Sequence, residues 1–222
     1  MTTPEERLTI DAGRSLVSGA YARPDDPKAT LVIAHGAGAG MDHPFLVGFS
    51  RAMNERGVAT LRFNFVYMET GRRAPDTEAV LRQAWTASFE AAALRTQGEQ
   101  VWVGGKSLGG RIASMAVADG LPAAGLVFLG YPLHPPGKPD RIRDEHLYRI
   151  TVPMLFLHGT RDGFADGALL SGVVAKLGDL ATLVEIEGGD HSFNVRGAKR
   201  EPRDVGAGLA EPAATFIADR AG

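Results

Sequence analysis

Apolar and polar positions fall along the chain in blocks whose spacing switches between that of a strand and that of a helix. Leu8 to Ile10 and Leu16 to Tyr21, separated by Asp11-Ala12-Gly13-Arg14, predict two short strands joined by a turn at an antiparallel edge, with Pro24 to Pro27 a loop. Thr30 to Ala34 is a continuous apolar run of strand length that breaks at His35-Gly36-Ala37-Gly38-Ala39-Gly40, the pattern of a buried strand feeding a glycine loop. Phe45, Phe49, Ala52 and Met53 then repeat at helical spacing, Gly57 stops that helix, and Val58 to Phe65 predicts another strand. Arg72 to Asp76 predicts a loop. Asp76 is placed to cap a long helix with Val80, Leu81, Ala84, Trp85, Ala91 and Ala92 on one face, ended by Gly98.

The second half continues the alternation. Val101 to Val103 is β-branched and aromatic, as a buried strand should be, and Ile112, Met115 and Ala116 continue at helical spacing beyond Ser107. Gly125 to Tyr131, Pro153 to His158 and Ala181 to Ile186 predict strands; Ala168 to Leu177 and Leu209 to Ala218 predict helices. The proline-rich segment Pro132 to Pro139 is expected to lie over the strand ends. Strands alternating with helices at these intervals predict an α/β architecture, a mostly parallel central sheet with helices on both faces and reactive groups at the carboxyl ends of strands. With 222 residues, 44% of them hydrophobic, the chain suffices for one sizeable core. One domain over 1–222 is expected, and the excursion over 132–150 is too short for a cap domain.

Composition removes several classes. A net charge of −2 provides no basic surplus for nucleic acid and no polybasic run for anionic lipid. Without cysteine there is no disulfide framework, thiolate metal site or cysteine nucleophile. Met1 to Arg7 lacks the pattern of a secretory signal, and no apolar run approaches the roughly 20 residues of a membrane span, so the expected location is the cytoplasm. A monomer or small homo-oligomer is expected.

The chemistry centres on Gly105-Lys106-Ser107-Leu108-Gly109, a G-x-S-x-G pattern at a strand-to-helix turn. A serine hydroxyl is a poor nucleophile alone, so the pattern needs a base, an acid and oxyanion donors elsewhere. Asp162 lies just past the strand ending at His158, with Asp166 close enough to compete, and His191 lies in Gly188-Gly189-Asp190-His191-Ser192-Phe193 after the last strand. The chain order Ser107, Asp162, His191 suits a base at His191 and an orienting acid at Asp162; Asp190 reads as a turn residue. The oxyanion donors are expected from the Leu108 N–H and from the His-Gly-x-Gly loop, with the Ala37 N–H ahead of Gly38.

The remaining groups have plainer readings. His35 and His158 are expected to be buried imidazoles bonded to backbone, and His43, His134 and His146 to lie in loops or on helix surfaces. Neither metal-ligand nor nucleotide-binding spacing occurs, so no metal and no cofactor is expected. Lys106 should point away from the site. Arg62, Asn64 and the Arg72-Arg73 pair are expected to pin the loop from Phe65 to Pro75. Met41, Tyr67, Tyr131 and Phe193 follow strand ends, where pocket walls form, and are candidate substrate contacts.

With these residues assembled, the chain resembles an α/β-hydrolase-fold serine hydrolase between about residue 30 and residue 195. His-Gly-Ala-Gly, Arg62-Phe63-Asn64-Phe65, Gly71 to Pro75, Gly-Lys-Ser-Leu-Gly-Gly-Arg and His-Gly-Thr-Arg-Asp resemble the hydrolases grouped with testis-expressed and NSL-complex-subunit-like proteins. A more distant likeness is to dienelactone-hydrolase-like enzymes, which use a cysteine where this chain has serine. The resemblance implies the fold and the triad, and leaves the substrate open. The expected function is cleavage of an ester, thioester or related acyl bond of a small molecule through an acyl-enzyme. A peptidase or amidase on the same residues, and a non-catalytic hydrolase-fold binding or scaffold protein, are the alternatives.

Overall fold

The computed structural model describes residues 3–221. An eight-stranded sheet runs through it in the order β1-β2-β4-β3-β5-β6-β7-β8. β1 (Glu5–Asp11) and β2 (Leu16–Ala22) form the antiparallel edge, and β2 pairs antiparallel with β4 (Val58–Phe63). β3 (Ala29–Ala34), β4, β5 (Gln100–Lys106), β6 (Leu126–Leu129), β7 (Met154–Gly159) and β8 (Ala181–Ile186) are mutually parallel.

The continuous apolar runs become central strands because both faces are covered, and alternate side chains feed separate cores. From β3, Val32 and Ala34 join one cluster and Leu31 and Ile33 the other. The first is closed by Trp85 of α3 (Glu78–Ala93), Ile112 of α4 (Leu108–Ala118) and Leu170 of α5 (Gly167–Leu177). The second is closed by Phe49 of α1 (Pro44–Asn54), Val205 of α6 (Pro202–Ala207) and Phe216 of α7 (Ala210–Ala218). The strand order reverses between β3 and β5, so the loops after them face each other across the crevice where α/β sheets bind ligands.

Several sequence expectations are corrected. β4 stops at Phe63, and the chain then turns into the short helix α2 (Val66–Glu69). Asp76 does not cap α3. Its N-cap is Thr77, while the Asp76 carboxylate accepts the Tyr67 N–H at 2.8 Å and pairs with Arg72 at 2.5 Å. The competing local demand, closing the 66–76 turn, takes that side chain. The excursion over 132–150 does meet a strand end as expected, the His134 N–H donating to Phe164 O after β7 at 2.9 Å, though none of its residues lines the cavity described below. Its 3-10 turn Glu145–Arg149 packs on α4, where His146 Nε2 lies 2.8 Å from the buried Ser114 hydroxyl. His134 is likewise buried, its Nε2 accepting the Asp166 N–H at 2.9 Å. His134 lies in a loop and His146 on a helical turn, as expected, and both fasten the excursion. No helix among the described residues is long and apolar enough to cross a membrane.

Helix α6 has too little apolar periodicity to be seen in the sequence; tertiary packing makes it. Gly48 of α1 and Gly206 of α6 let the two backbones touch, since a Cβ on either would lie 2.0 Å from the Arg203 or Phe45 carbonyl oxygen. Gly48→Ala is therefore expected to force α6 outward and to destabilise the fold by roughly 1–3 kcal/mol. Thermal and urea unfolding of the variant check this, and an unchanged midpoint would show that α6 is loosely held.

Candidate active site

The turn between β5 and α4 is built against the end of β3. A Cβ at Gly105 or at Gly109 would sit 2.4 Å from the Ala34 carbonyl oxygen, so both positions require glycine. Between them Ser107 adopts φ 50°, a left-handed conformation uncommon for a residue with a side chain. Neighbours hold it there: the Ser107 N–H donates to Leu129 O of β6 at 3.2 Å. From α3, the buried Trp85 Nε1–H donates to Gly109 O at 3.2 Å.

Two further strand ends converge on the serine. The Asp162 side chain, 1% exposed, accepts the Phe164 N–H on Oδ1 at 2.7 Å and meets His191 Nδ1 through Oδ2 at 2.7 Å. A carboxylate accepts only, so Nδ1 carries the proton and Nε2 is left to accept from Ser107 Oγ, 2.8 Å away. Burial alone would raise the Asp162 pKa. The hydrogen bond and electrostatic attraction of His191, the Phe164 N–H and the charge of Lys106 outweigh it, and the pKa lies below its ordinary value. Phe164 stacks on the His191 ring at 4.2 Å, a contact signalled in sequence only by its position two residues past Asp162. Asp166 caps α5 by accepting the Leu169 N–H. Asp190 Oδ1 accepts the Ser192 and Asn194 N–H groups and shapes the histidine loop. This leaves both acids out of the hydrogen-bonded line.

The His35–Ala39 loop lies opposite. His35 Nδ1–H donates to Gly36 O at 2.8 Å, and its Nε2 accepts the Phe65 N–H at 3.1 Å. Burial drives its pKa to about 4, against the bond to Gly36 O and the more distant Glu69, so the ring is neutral. His158 differs from expectation: it is buried, but neither ring nitrogen has a hydrogen-bond partner. Arg62 and Asn64 pin this loop, and of the Arg72-Arg73 pair only Arg72, through Asp76 and Thr70, helps to pin the one after Phe65. Asn64 Oδ1 accepts the Met41 N–H and the Arg62 guanidinium donates to Met41 O, both at 2.8 Å. The Ala37 and Leu108 N–H groups donate to no acceptor among the described residues. The Gly38 N–H likewise has no acceptor among the described residues.

A cavity of about 510 Å³ opens at Ser107 and His191, lined also by Phe45, Leu46, Phe164 and Pro202. Met41, Tyr67, Tyr131 and Phe193 are not in its walls. All are buried, because the chain turns inward after each strand: Met41 is held by both its backbone groups, and Tyr131 donates to Arg143 O at 2.8 Å. Phe193, at φ 63°, stacks on Phe45 at 6.1 Å beneath the histidine loop. Lys106, expected to point away, lines the cavity instead. Among the described residues no group of His, Cys, Asp or Glu is arranged to hold a metal.

The family model for the alpha/beta hydrolase domain matches residues 27–218. The chain belongs to that family. Solved alpha/beta hydrolases share its fold throughout. A dienelactone hydrolase from Anabaena variabilis superposes with a TM-score of 0.76 at 19% identity, over 99% of each chain. An α/β serine hydrolase without a lid from Xanthomonas campestris gives 0.76 at 20% identity, over 99% of this chain and 96% of that one. The esterase domain of a Rhodothermus marinus protein gives 0.75 at 15% identity, over 99% and 100%. At these identities the likeness is one of fold.

Neutral His35 gives the fold a pH dependence of defined sign. The unfolded chain takes up this proton near the ordinary 6.5 and the folded chain near 4, so the unfolded state binds more protons between them. The stability at stake is complete above about 6.5 and is lost as pH falls towards 4, with a slope of at most about 1.4 kcal/mol per pH unit. His35→Gln should flatten that limb in urea midpoints measured from pH 7 to pH 4; parallel limbs for the two proteins would contradict the assignment.

Proposed function

We propose that the chain is a serine hydrolase that cleaves an ester, thioester or related acyl bond of a small molecule, through Ser107, His191 and Asp162 and without a cofactor. The reading rests on one observation, the unbroken line from Ser107 Oγ through His191 to Asp162, at 2.8 and 2.7 Å, opening on a cavity. Its motifs align it with the testis-expressed and NSL-complex-subunit-like hydrolases within the family.

In this mechanism Ser107 Oγ attacks the acyl carbonyl as its proton passes to His191 Nε2. Asp162 fixes the imidazole tautomer and stabilises the cation that forms. The developing alkoxide is met by the Leu108 N–H at the start of α4 and by the Ala37 N–H, with Gly38 shaping the loop behind it. Collapse expels the alcohol or thiol, which takes the proton from His191 and leaves an acyl-Ser107 ester. Water then attacks that ester with His191 again as base, releasing the carboxylic acid and restoring the serine.

Labelling by a fluorophosphonate probe, lost in Ser107→Ala, is the direct test. Folded protein that never labels would instead favour a binding or scaffold role. Ser107→Ala should also reduce kcat on a p-nitrophenyl ester by about 10³-fold or more. Asn64→Ala releases the Met41 N–H and so loosens the loop carrying Ala37. It is expected to lower kcat about tenfold with little change in KM, because an oxyanion donor acts in the transition state. A rise in KM alone would assign Asn64 to ground-state binding.

A further inference from the structure

The cavity is uneven in charge. No residue lining it is an aspartate or glutamate, whereas Lys106, joined to Ser107 by one peptide bond, is part of its wall. The Lys106 ammonium lies 5.8 Å over the Phe193 ring and 3.4 Å from the point where a Cβ of Gly130 would sit, a point that His191 O and Asp162 Oδ2 approach to 3.4 and 3.6 Å. It has neither an ion pair nor a hydrogen-bond acceptor among the described residues. The charged and titratable groups facing it are Asp162 after β7, and Asp190 and His191 after β8. Neither carboxylate pairs with it directly. Asp162 is taken up by His191 and the Phe164 N–H, and Asp190 Oδ1 by the N–H groups of Ser192 and Asn194. Burial accordingly lowers the Lys106 pKa to about 8, with Asp162 and Asp190 opposing from a distance. Lys106 is half-buried and its ammonium has no direct ion pair, so an anion entering the cavity would meet a cation offset only by the more distant Asp162 and Asp190.

The mouth carries the same sign. Asn194 and Pro202 line the cavity, and the exposed stretch from one to just beyond the other bears Arg196, Lys199, Arg200 and Arg203 against Glu201 and Asp204. Arg200 donates to the Asp204 carbonyl at 2.6 Å. Arg196, Lys199 and Arg203 make no ion pair among the described residues. This is a local excess in a chain whose net charge is −2.

We propose that the cavity selects acyl substrates bearing an anionic group, carboxylate or phosphate, with Lys106 the specificity-determining cation in its wall and the 196–203 stretch a positive mouth. The proposal rests on the hydrolase reading above. Position separates the two sources of charge. An anion that reaches Lys106 must lie a few bonds from the scissile carbonyl, as in the hemiester of a short dicarboxylic acid. A phosphate on a long leaving group would meet the mouth.

The test uses one pair matched except for charge and one pair that differs by the phosphate-bearing part of coenzyme A. For Lys106, p-nitrophenyl hemiglutarate is set against p-nitrophenyl valerate. For the mouth, valeryl-coenzyme A is set against the valeryl thioester of N-acetylcysteamine. The unaltered protein should favour hemiglutarate in kcat/KM by on the order of tenfold near pH 7. That ratio should fall with added salt, and again as pH rises past about 8 and Lys106 loses its proton. Whatever the absolute rates, Lys106→Met should abolish the ratio and Lys106→Arg should keep it. A structural role alone would depress both substrates together. A coenzyme A preference that disappears in the Arg196→Glu, Lys199→Glu double variant supports the mouth. Equal or inverse ratios for both pairs, with the neutral substrates turned over, overturn the proposal; equality for hemiglutarate alone removes Lys106 from it. If Lys106→Met fails to fold, a hemiglutarate ratio in the unaltered protein that ignores salt and pH overturns the role of Lys106. Absence of turnover on every ester and thioester, together with absence of fluorophosphonate labelling, would instead defeat the hydrolase reading itself.

Discussion

The end of β3 and the turn after β5 meet backbone to backbone, and the rest of the site is arranged around that contact. Ala34 O occupies space that a Cβ at position 105 or 109 would need, so the chain can turn sharply only by pushing Ser107 into a left-handed conformation. Such a conformation is unfavourable by about 1–3 kcal/mol and persists where the surroundings over-determine it. Here the surroundings are a strand on each side and Trp85 behind, all fully buried. The hydroxyl is thereby held at the mouth of the crevice by rigid elements, and α4 starts at that point with the Leu108 N–H bonded to no acceptor among the described residues.

A second pattern concerns the loops. Each one that brings a group to the serine is tied down by polar side chains spent on backbone groups: Arg62 and Asn64 on Met41, His35 on Gly36 and Phe65, Asp190 on Ser192 and Asn194. Buried polar groups must be satisfied, and satisfying a loop's backbone removes its freedom. Arg62, 1% exposed and also paired with Glu5, extends this restraint to the first strand. The edge hairpin thus contributes to the geometry of a loop far from it in sequence.

How much of this was readable beforehand follows from the kind of signal each feature leaves. The sheet and its major helices were legible because burial on both faces imposes long apolar runs and regular spacings. The line Ser107, His191, Asp162 was legible because glycines and chain order mark strand ends. Walls of the cavity were not. Met41, Tyr67, Tyr131 and Phe193 follow strands in sequence but turn into the core, while Phe45, Leu46 and Pro202 reach the cavity from α1 and α6. Which way a side chain turns at a strand end depends on neighbours distant in sequence. The same holds for α6, whose seat is two glycines more than 150 residues apart, Gly48 and Gly206, and for Asp76, drawn from a helix cap to the turn beside it.

The anchoring of residues 132–150 on α4 has a kinetic meaning. With Leu133 and Leu147 buried and His146 held by Ser114, that excursion is part of the scaffold, and none of its residues borders the cavity. Nothing in it must swing aside for a substrate to arrive or a product to leave. The excursion is therefore not a flap over the cavity, unlike the closing loops that pace many enzymes. Under the hydrolase reading, discrimination between ligands is then left to the residues that line the cavity and border its opening, and not to this excursion.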